Sequence, residues 1–281
     1  MNLFELKKLK RIQIHGHRGC RGLMPENTIP AFEYAIDLGV DAVELDVVIT
    51  GDSKVLVSHE PWFSHEYCLD ENGNPITREN EMSFNIFKMS YEQSMRFDCG
   101  KRKHLRFPLQ KNFPAHKPLL EDVADVCLRE KNNIFFIIEL KSEAAFYNIY
   151  QPEPAVIVDE VMKVVKKKKV EQQCMLQSFD TNILKELHKK YPTINCALLV
   201  EEDANPEKDF LKLGFKPFGY NPFFKLLKPD IISYCKKNKV QISTWTVNEI
   251  EDMKQVVKME VDGIITDYPD RAISILKQLY A

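Results

Sequence analysis

Apolar positions along the chain gather into short, β-branched runs, and longer stretches with helical spacing separate them. The runs are RIQIHG (11–16), AVELDVVI (42–49), IFFIIEL (134–140), CMLQSF (174–179), NCALLV (195–200), FKPFGYN (215–221), QISTWTV (241–247) and GIITD (263–267). Between them lie TIPAFEYAIDLG, LLEDVADVCLRE, PAVIVDEVMKVVKKK, DTNILKELHKKY, a weaker EDANPEKDFLKLG, KPDIISYCKKN, NEIEDMKQVVKM and a final PDRAISILKQL, with Asp180 and Asn248 placed as helix N-caps. Strand and helix in regular alternation predict βα units around parallel strands. Eight strands, and no glycine-rich dinucleotide fingerprint after the first, favour an α/β class TIM (β/α)8 barrel over an open doubly wound sheet. One stretch breaks the rhythm: about 60 residues of mixed aromatic and charged sequence separate His59 from Leu119, far more than an ordinary connection. The expectation is a single domain over 1–281, carrying an inserted small subdomain at about 60–117 on the catalytic face.

Within AVELDVVI the side chains alternate faces, so Val43, Leu45, Val47 and Ile49 point one way and Glu44 and Asp46 the other. Two like charges facing a core demand a cation, a basic side chain or open water. Parallel barrels build their sites at the C-terminal strand ends, where this chain places His17 and Arg18, Glu44 and Asp46, His59 after VLVSH, Glu139 and Lys141, Gln177, Asn221, Trp245 and Asn248, then Thr266 and Asp267. Three carboxylates make an oxygen-rich pocket suited to one hard divalent cation, Ca2+ or Mg2+. Two histidines can take and give a proton near neutral pH, and Arg18 and Lys141 suit a phosphate. Each part alone has a plainer reading: a single Glu at a strand end is usually solvated, and a single His is usually structural, as His65 and His116 are read here. KRKHLR (101–106) reads as a solvated loop or as a phosphate or anionic-lipid contact. Convergence on neighbouring units favours metal-assisted phosphoryl transfer over the separate plain readings.

Composition sharpens this only by exclusion. The 281 residues are 44% hydrophobic and 28% charged, with a net charge of -2, so a sizeable core can form and no strong field implies a nucleic-acid partner or stable membrane insertion. Seven cysteines (Cys20, Cys68, Cys99, Cys127, Cys174, Cys196 and Cys235) without a CxxC pair read as reduced thiols. The opening MNLFELKKLKRIQIHGHRG lacks a long apolar stretch, and no run approaches a membrane span of about 20 residues. A cytoplasmic protein is expected, with its oligomeric state open.

HRGCRGLMPENTIPAF (17–32), ELD (44–46), VSHE (57–60), IELK (138–141), LQSFD (176–180), STWTVN (243–248) and VDGIITDYP (261–269) resemble, in order, the motifs of the glycerophosphodiester phosphodiesterase family. FDCGKRKHLRFP resembles the family's inserted small domain. The resemblance implies a TIM barrel, a divalent cation on Glu44, Asp46 and Glu139, His17 and His59 as the acid/base pair, and Arg18 and Lys141 on the phosphate. Gln177 and Trp245 are further candidates for substrate contact. The implied reaction is hydrolysis of a small-molecule glycerophosphodiester to sn-glycerol 3-phosphate and an alcohol, with His17 assigned as base and His59 as acid. Three alternatives stand beside it: action on lysophospholipids, with Trp62, Phe63 and Phe107 as apolar contacts; a catalytically silent binding barrel; and an enzyme of sugar phosphates or enolisation. Two departures are visible: Glu60 stands where the family commonly has Asp, and Glu260 where it commonly has Gly, a position that enters left-handed backbone cheaply.

Overall fold

A computed structural model describes residues 11–130 and 134–280; the first ten residues of the opening segment read for the lack of a leader lie outside them. In chain order the elements are β1 (Gln13–Gly16), α1 (Ile29–Leu38), β2 (Ala42–Ile49), β3 (Val55–Val57), α2 (Tyr91–Ser94), α3 (Leu120–Glu130), β4 (Phe135–Leu140), α4 (Pro154–Lys168), β5 (Cys174–Ser178), α5 (Thr181–Lys190), β6 (Asn195–Val200), α6 (Pro206–Leu213), β7 (Gly219–Pro222), α7 (Pro229–Lys237), β8 (Gln241–Thr244), α8 (Ile250–Lys258), β9 (Gly263–Thr266) and α9 (Pro269–Tyr280). The parallel strands β1, β2, β4, β5, β6, β7, β8 and β9 pair in that order, and β9 pairs back onto β1, so the barrel is closed. The short β3 runs antiparallel on the C-terminal half of β2, with Val47 opposite Val57.

Each of the eight expected strands is present. The run at 215–221 pairs only from Gly219, because α6 ends in the left-handed Gly214 and Pro217 has no N–H for a ladder. The weak pattern before it does form α6: Asn205 accepts from the Lys208 N–H and Pro206 opens the first turn. Asp180 caps α5 as expected, accepting from the Asn182 N–H. Asn248 does not cap α8: the cap position is Glu249, and the Asn248 side chain is drawn instead to Asp267. Glu260 adopts φ 57°, a left-handed position held without glycine.

The alternation in β2 sorts two cores. Val43, Leu45, Val47 and Ile49 face the helical shell and join a cluster that includes Phe32 of α1, Val123 of α3 and Val161 of α4. Inside the barrel, Ala42, Phe135, Ile137, Met175 and Ala197 pack as a small apolar floor beneath the inward carboxylates. His15 is buried beside this floor, bonded through Nε2 to Gln13 Oε1 at 3.1 Å. Gly263 makes room for it, since a Cβ there would lie 2.5 Å from His15 Cε1 and 2.7 Å from Ser243 Oγ.

Between β3 and α3 the chain builds a third apolar cluster, in which Phe63 stacks on Phe97 with ring centroids 3.9 Å apart. This segment is tied to the barrel by backbone and side-chain bonds: Gln110 Nε2 to Arg21 O at 2.8 Å, Lys111 N to Leu23 O at 2.9 Å and Asn85 Nδ2 to Ile149 O at 2.8 Å. The seven cysteines are buried free thiols, and no described helix is long and apolar enough to cross a membrane.

Burial pulls the His15 imidazole from 6.5 down to about 4, against an upward pull from Asp41. The folded state therefore binds fewer protons than the unfolded chain between those two values, so its stabilising effect is full above about pH 6.5 and is lost as pH falls toward 4. Urea titrations at pH 7.5 and 4.5 should show a drop in unfolding free energy that includes about 3 kcal/mol from this group, and His15→Gln should remove that part. Glu260→Gly should raise the midpoint of a thermal melt slightly by relieving the left-handed backbone.

Candidate active site

The C-terminal end of the barrel opens into a cavity of about 690 Å³ whose lining includes His17, Arg18, Glu44, His59, Glu139, Lys141, Gln177 and Trp245. Eight of the nine residues named with the family resemblance as metal, acid/base, phosphate or substrate contacts thus face one space. The ninth, Asp46, is fully buried beside them, behind Arg18.

Strand register assembles the carboxylates. Asp46 on β2 stands directly beside Glu139 on β4, and Glu44 lies one inward step below on the same strand. One oxygen from each of Glu44, Asp46 and Glu139 lies within 4.8 Å of the other two, and all three residues are buried. Burial, then the neighbouring Asp46 and Glu139, push the Glu44 carboxyl well above its usual range, while Arg18, His59 and Lys141 hold Asp46 well below it against burial. Their other contacts are ordered: Arg18 N and Gln177 Nε2 donate to Glu44 at 3.1 and 3.2 Å, and Asn27 Nδ2 donates to Asp46 Oδ2 at 2.9 Å. Asp46 Oδ1 is buried and has no hydrogen-bond donor. An all-oxygen donor set with one buried oxygen left without a hydrogen bond fits a hard divalent cation.

His17 follows β1. Its Nδ1 lies 2.6 Å from Asp267 Oδ1, and a carboxylate can only accept, so the ring proton sits on Nδ1 and Nε2 is left with its lone pair. Burial pulls His17 down to about 4 although Asp267 pulls it up, so it is neutral near pH 7. Asp267 is itself clamped: Arg21 donates through Nε and Nη2 at 2.9 and 3.1 Å, and Asn248 Nδ2 donates at 2.7 Å. Arg21 and His17 thereby hold the Asp267 carboxyl well below its usual range in spite of burial.

His59 follows β3. Its Nδ1 pairs with Glu60 Oε1 at 2.8 Å, so the longer acid at this position does reach the ring. Lys141 Nζ lies 2.6 Å from Glu139 and 4.0 Å from Asp46. Arg18, at φ 51°, pairs with Glu26 at 2.6 Å and Asp46 at 3.2 Å, so its guanidinium braces the acids as well as facing the cavity.

Other sequence readings divide. Trp62 lines the cavity, packed edge-on against Phe146 and Tyr150. Phe63 does not, being sealed in the cluster of the inserted segment, and Phe107 lies beneath the Arg21 guanidinium, 4.6 Å from its ring centre. His65 pairs with Glu81 and His116 with Phe97 O. KRKHLR is not a uniform solvated loop: His104 is buried, whereas Arg106 reaches the cavity wall. Sequence reasoning did not single out Arg21, Glu26 or the bond from Asp267 to His17. The first two lie in a quoted motif, but in a loop without a spacing rule to pair them.

The model of the glycerophosphoryl diester phosphodiesterase family matches residues 17–271. The chain belongs to that family. These are phosphoric diester hydrolases. A glycerophosphodiester phosphodiesterase of Caldanaerobacter subterraneus subsp. tengcongensis is 28% identical over 262 residues, covering 93% of this chain and 96% of its own. A lysophospholipase D of Rattus norvegicus is 23% identical, covering 99% and 91%. Among solved structures, that of a presumptive glycerophosphoryl diester phosphodiesterase from Silicibacter pomeroyi superposes with a TM-score of 0.87 at 28% identity, covering 96% of this chain and 94% of that one. An Oleispira antarctica phosphodiesterase, solved with the product sn-glycerol-3-phosphate, has a TM-score of 0.76 at 18% identity, covering 96% and 98%, a likeness of fold. Family membership replaces the silent-barrel and sugar-phosphate readings with hydrolysis.

Cation binding at these acids should show in stability as well as turnover. Ca2+ or Mg2+ at 100 times its dissociation constant should stabilise the fold by about 2.7 kcal/mol. The thermal midpoint should rise with added cation in the wild-type protein and should not respond in Asp46→Asn or Glu139→Gln.

Proposed function

We propose that this chain hydrolyses glycerophosphodiesters to sn-glycerol 3-phosphate and an alcohol, with His17 and His59 moving the protons. The observation that carries the reading is a neutral His17 whose Nδ1 is pinned by Asp267, facing a cavity shared with His59 and a buried carboxylate trio. The names of the family relatives support the substrate class. In this reading His17 Nε2 accepts the proton of the attacking oxygen, which is either water or the adjacent glycerol hydroxyl. The Asp267 carboxylate then faces the imidazolium so formed, and His59 gives its proton to the departing alkoxide. Bound to Glu44, Asp46 and Glu139, a divalent cation would polarise a phosphoryl oxygen and offset developing charge. Lys141 and Arg18 add fixed positive charge beside the same oxygens. Gln177 and Asn221 hold the floor of the site in register, through Asn221 Nδ2 to Gln177 Oε1 at 2.8 Å. Residues 60–117 act as a subdomain walling one side of the cavity.

A second reading, action on acyl-bearing lysophospholipids, is favoured by the aromatic wall of Trp62, Phe146 and Phe179. Assay of deacylated against lysophospholipid substrates separates the two, and greater turnover of the acyl-bearing diesters would favour the second.

A metal-supplemented screen of glycerophosphodiesters, coupled to detection of glycerol 3-phosphate, should register turnover that a strong chelator abolishes. His17→Ala or His59→Ala should each lower kcat by roughly 10²- to 10⁴-fold in a folded protein. Asp267→Asn should lower kcat in the same direction, since an amide can donate to Nδ1 and so permit the wrong tautomer. Wild-type turnover in either histidine variant would refute the assignment.

A further inference from the structure

His59 stands at the end of a chain of hydrogen bonds that originates outside the barrel. Its Nδ1 lies 2.8 Å from Glu60 Oε1, Glu60 Oε2 accepts from the Tyr67 hydroxyl at 3.1 Å, and Tyr67 Oη accepts from Lys117 Nζ at 3.2 Å. Tyr67 and Lys117 are 3% and 2% exposed, while the Glu60 and His59 side chains, on the cavity side, are 23% and 32% exposed. Tyr67 comes from the start of the inserted segment. Lys117 comes from its end, one residue before Pro118, whose carbonyl accepts from the Val57 N–H of β3 at 2.9 Å. The Lys117 ammonium also lies over the rings of Phe63 and Tyr67, at 5.8 and 5.3 Å from their centres, and Tyr67 stacks on His104.

A lysine sealed among aromatics is costly unless its charge is used. Its ammonium polarises the Tyr67 hydroxyl, which spends its one proton on Glu60. Burial and Glu60 push the Tyr67 phenol well above its ordinary value, so it stays a donor. Glu60 is held well below its ordinary range by His59, Lys117 and Arg18 in spite of burial, so it stays an acceptor. With one oxygen fixed by Tyr67, the glutamate cannot rotate away, and its other oxygen orients the ring so that Nε2 faces the cavity.

We infer that Tyr67 and Lys117, supplied by the inserted segment, are positioning residues that act through Glu60 to fix the ring orientation of His59, with the Nδ1 proton held on Glu60 and Nε2 turned to the cavity. The inference rests on the proposed role of His59, but its geometry has a readout of its own. Tyr67→Phe keeps the ring in its stack and removes only the hydroxyl. In 15N-histidine-labelled protein, the Nδ1–H resonance of His59, identified by its absence in His59→Gln, should be seen in the wild type and lost to solvent exchange in Tyr67→Phe. With a glycerophosphodiester as substrate, kcat should fall about tenfold, a fraction of the full effect of a proton-transfer group, with KM little changed. Lys117→Met should act in the same direction. In a Glu60→Gln background, Tyr67→Phe should have no further effect on kcat, because the link it supports is already broken. A His59 resonance unchanged in folded Tyr67→Phe, or a loss of kcat that is the same with and without Glu60→Gln, would overturn the inference. A folded wild-type protein without hydrolytic activity would refute the role given to His59 under the proposed function, and the resonance would still decide the positioning.

Discussion

Three carboxylates on the inward face of two neighbouring strands set the terms for everything around them. Asp46 and Glu139 are register partners, so the closed barrel forces their side chains together whatever their mutual repulsion. The surroundings answer with charge: Arg18 and Lys141 sit directly on the acids, and Glu26 balances Arg18 from the far side. Two strands away in the closed order, Asp267 repeats the pattern with Arg21 and His17. The mouth of the barrel is thus an interlocked set of buried ion pairs, in which removing one member leaves another uncompensated. Such an arrangement is poor at gaining stability and good at holding each group to one orientation.

In the proposed reaction, burial rather than orientation divides the labour between the histidines. Both present Nδ1 to a carboxylate and Nε2 to the cavity, yet their settings differ. His17 is buried, anchored to a strand-end aspartate that two further residues clamp. His59 is partly exposed and anchored to the residue next to it in sequence. A buried imidazole held neutral suits a base, and a more exposed one that can recover a proton from solvent suits an acid.

The barrel was legible because its signal is periodic: every expected strand exists, and the alternation in AVELDVVI correctly sent Val43, Leu45, Val47 and Ile49 to the helices and Glu44 and Asp46 inward. The carboxylate trio followed from position alone, since strand ends converge in this fold. Loops gave no such rule. The Arg18–Glu26 and Arg21–Asp267 pairs span turns or nearly the whole chain, and nothing local links them. Asn248 misled because a polar residue before a helix looks like a cap, whereas a buried aspartate nearby offered its amide a stronger partner. Phe63 looked like a substrate contact beside Trp62, but adjacent residues here face opposite ways, one toward the cavity and one into the inserted segment's own core.

That inserted segment has a consequence for how this protein could change over evolutionary time. Loops on a barrel rim are usually the freely exchangeable parts, replaced without regard to the scaffold below. Here the segment holds Glu60 through Tyr67, which Lys117 braces, and returns to the barrel through Gln110, Lys111 and Asn85. A replacement taken from another barrel would bring its own rim and leave Glu60 without its second contact. Trp62, Arg106, Phe146 and Phe179 line the cavity without joining that chain of bonds, so exchanging them leaves it intact. A rim tied down in this way is altered more easily one side chain at a time than by exchange of the whole segment.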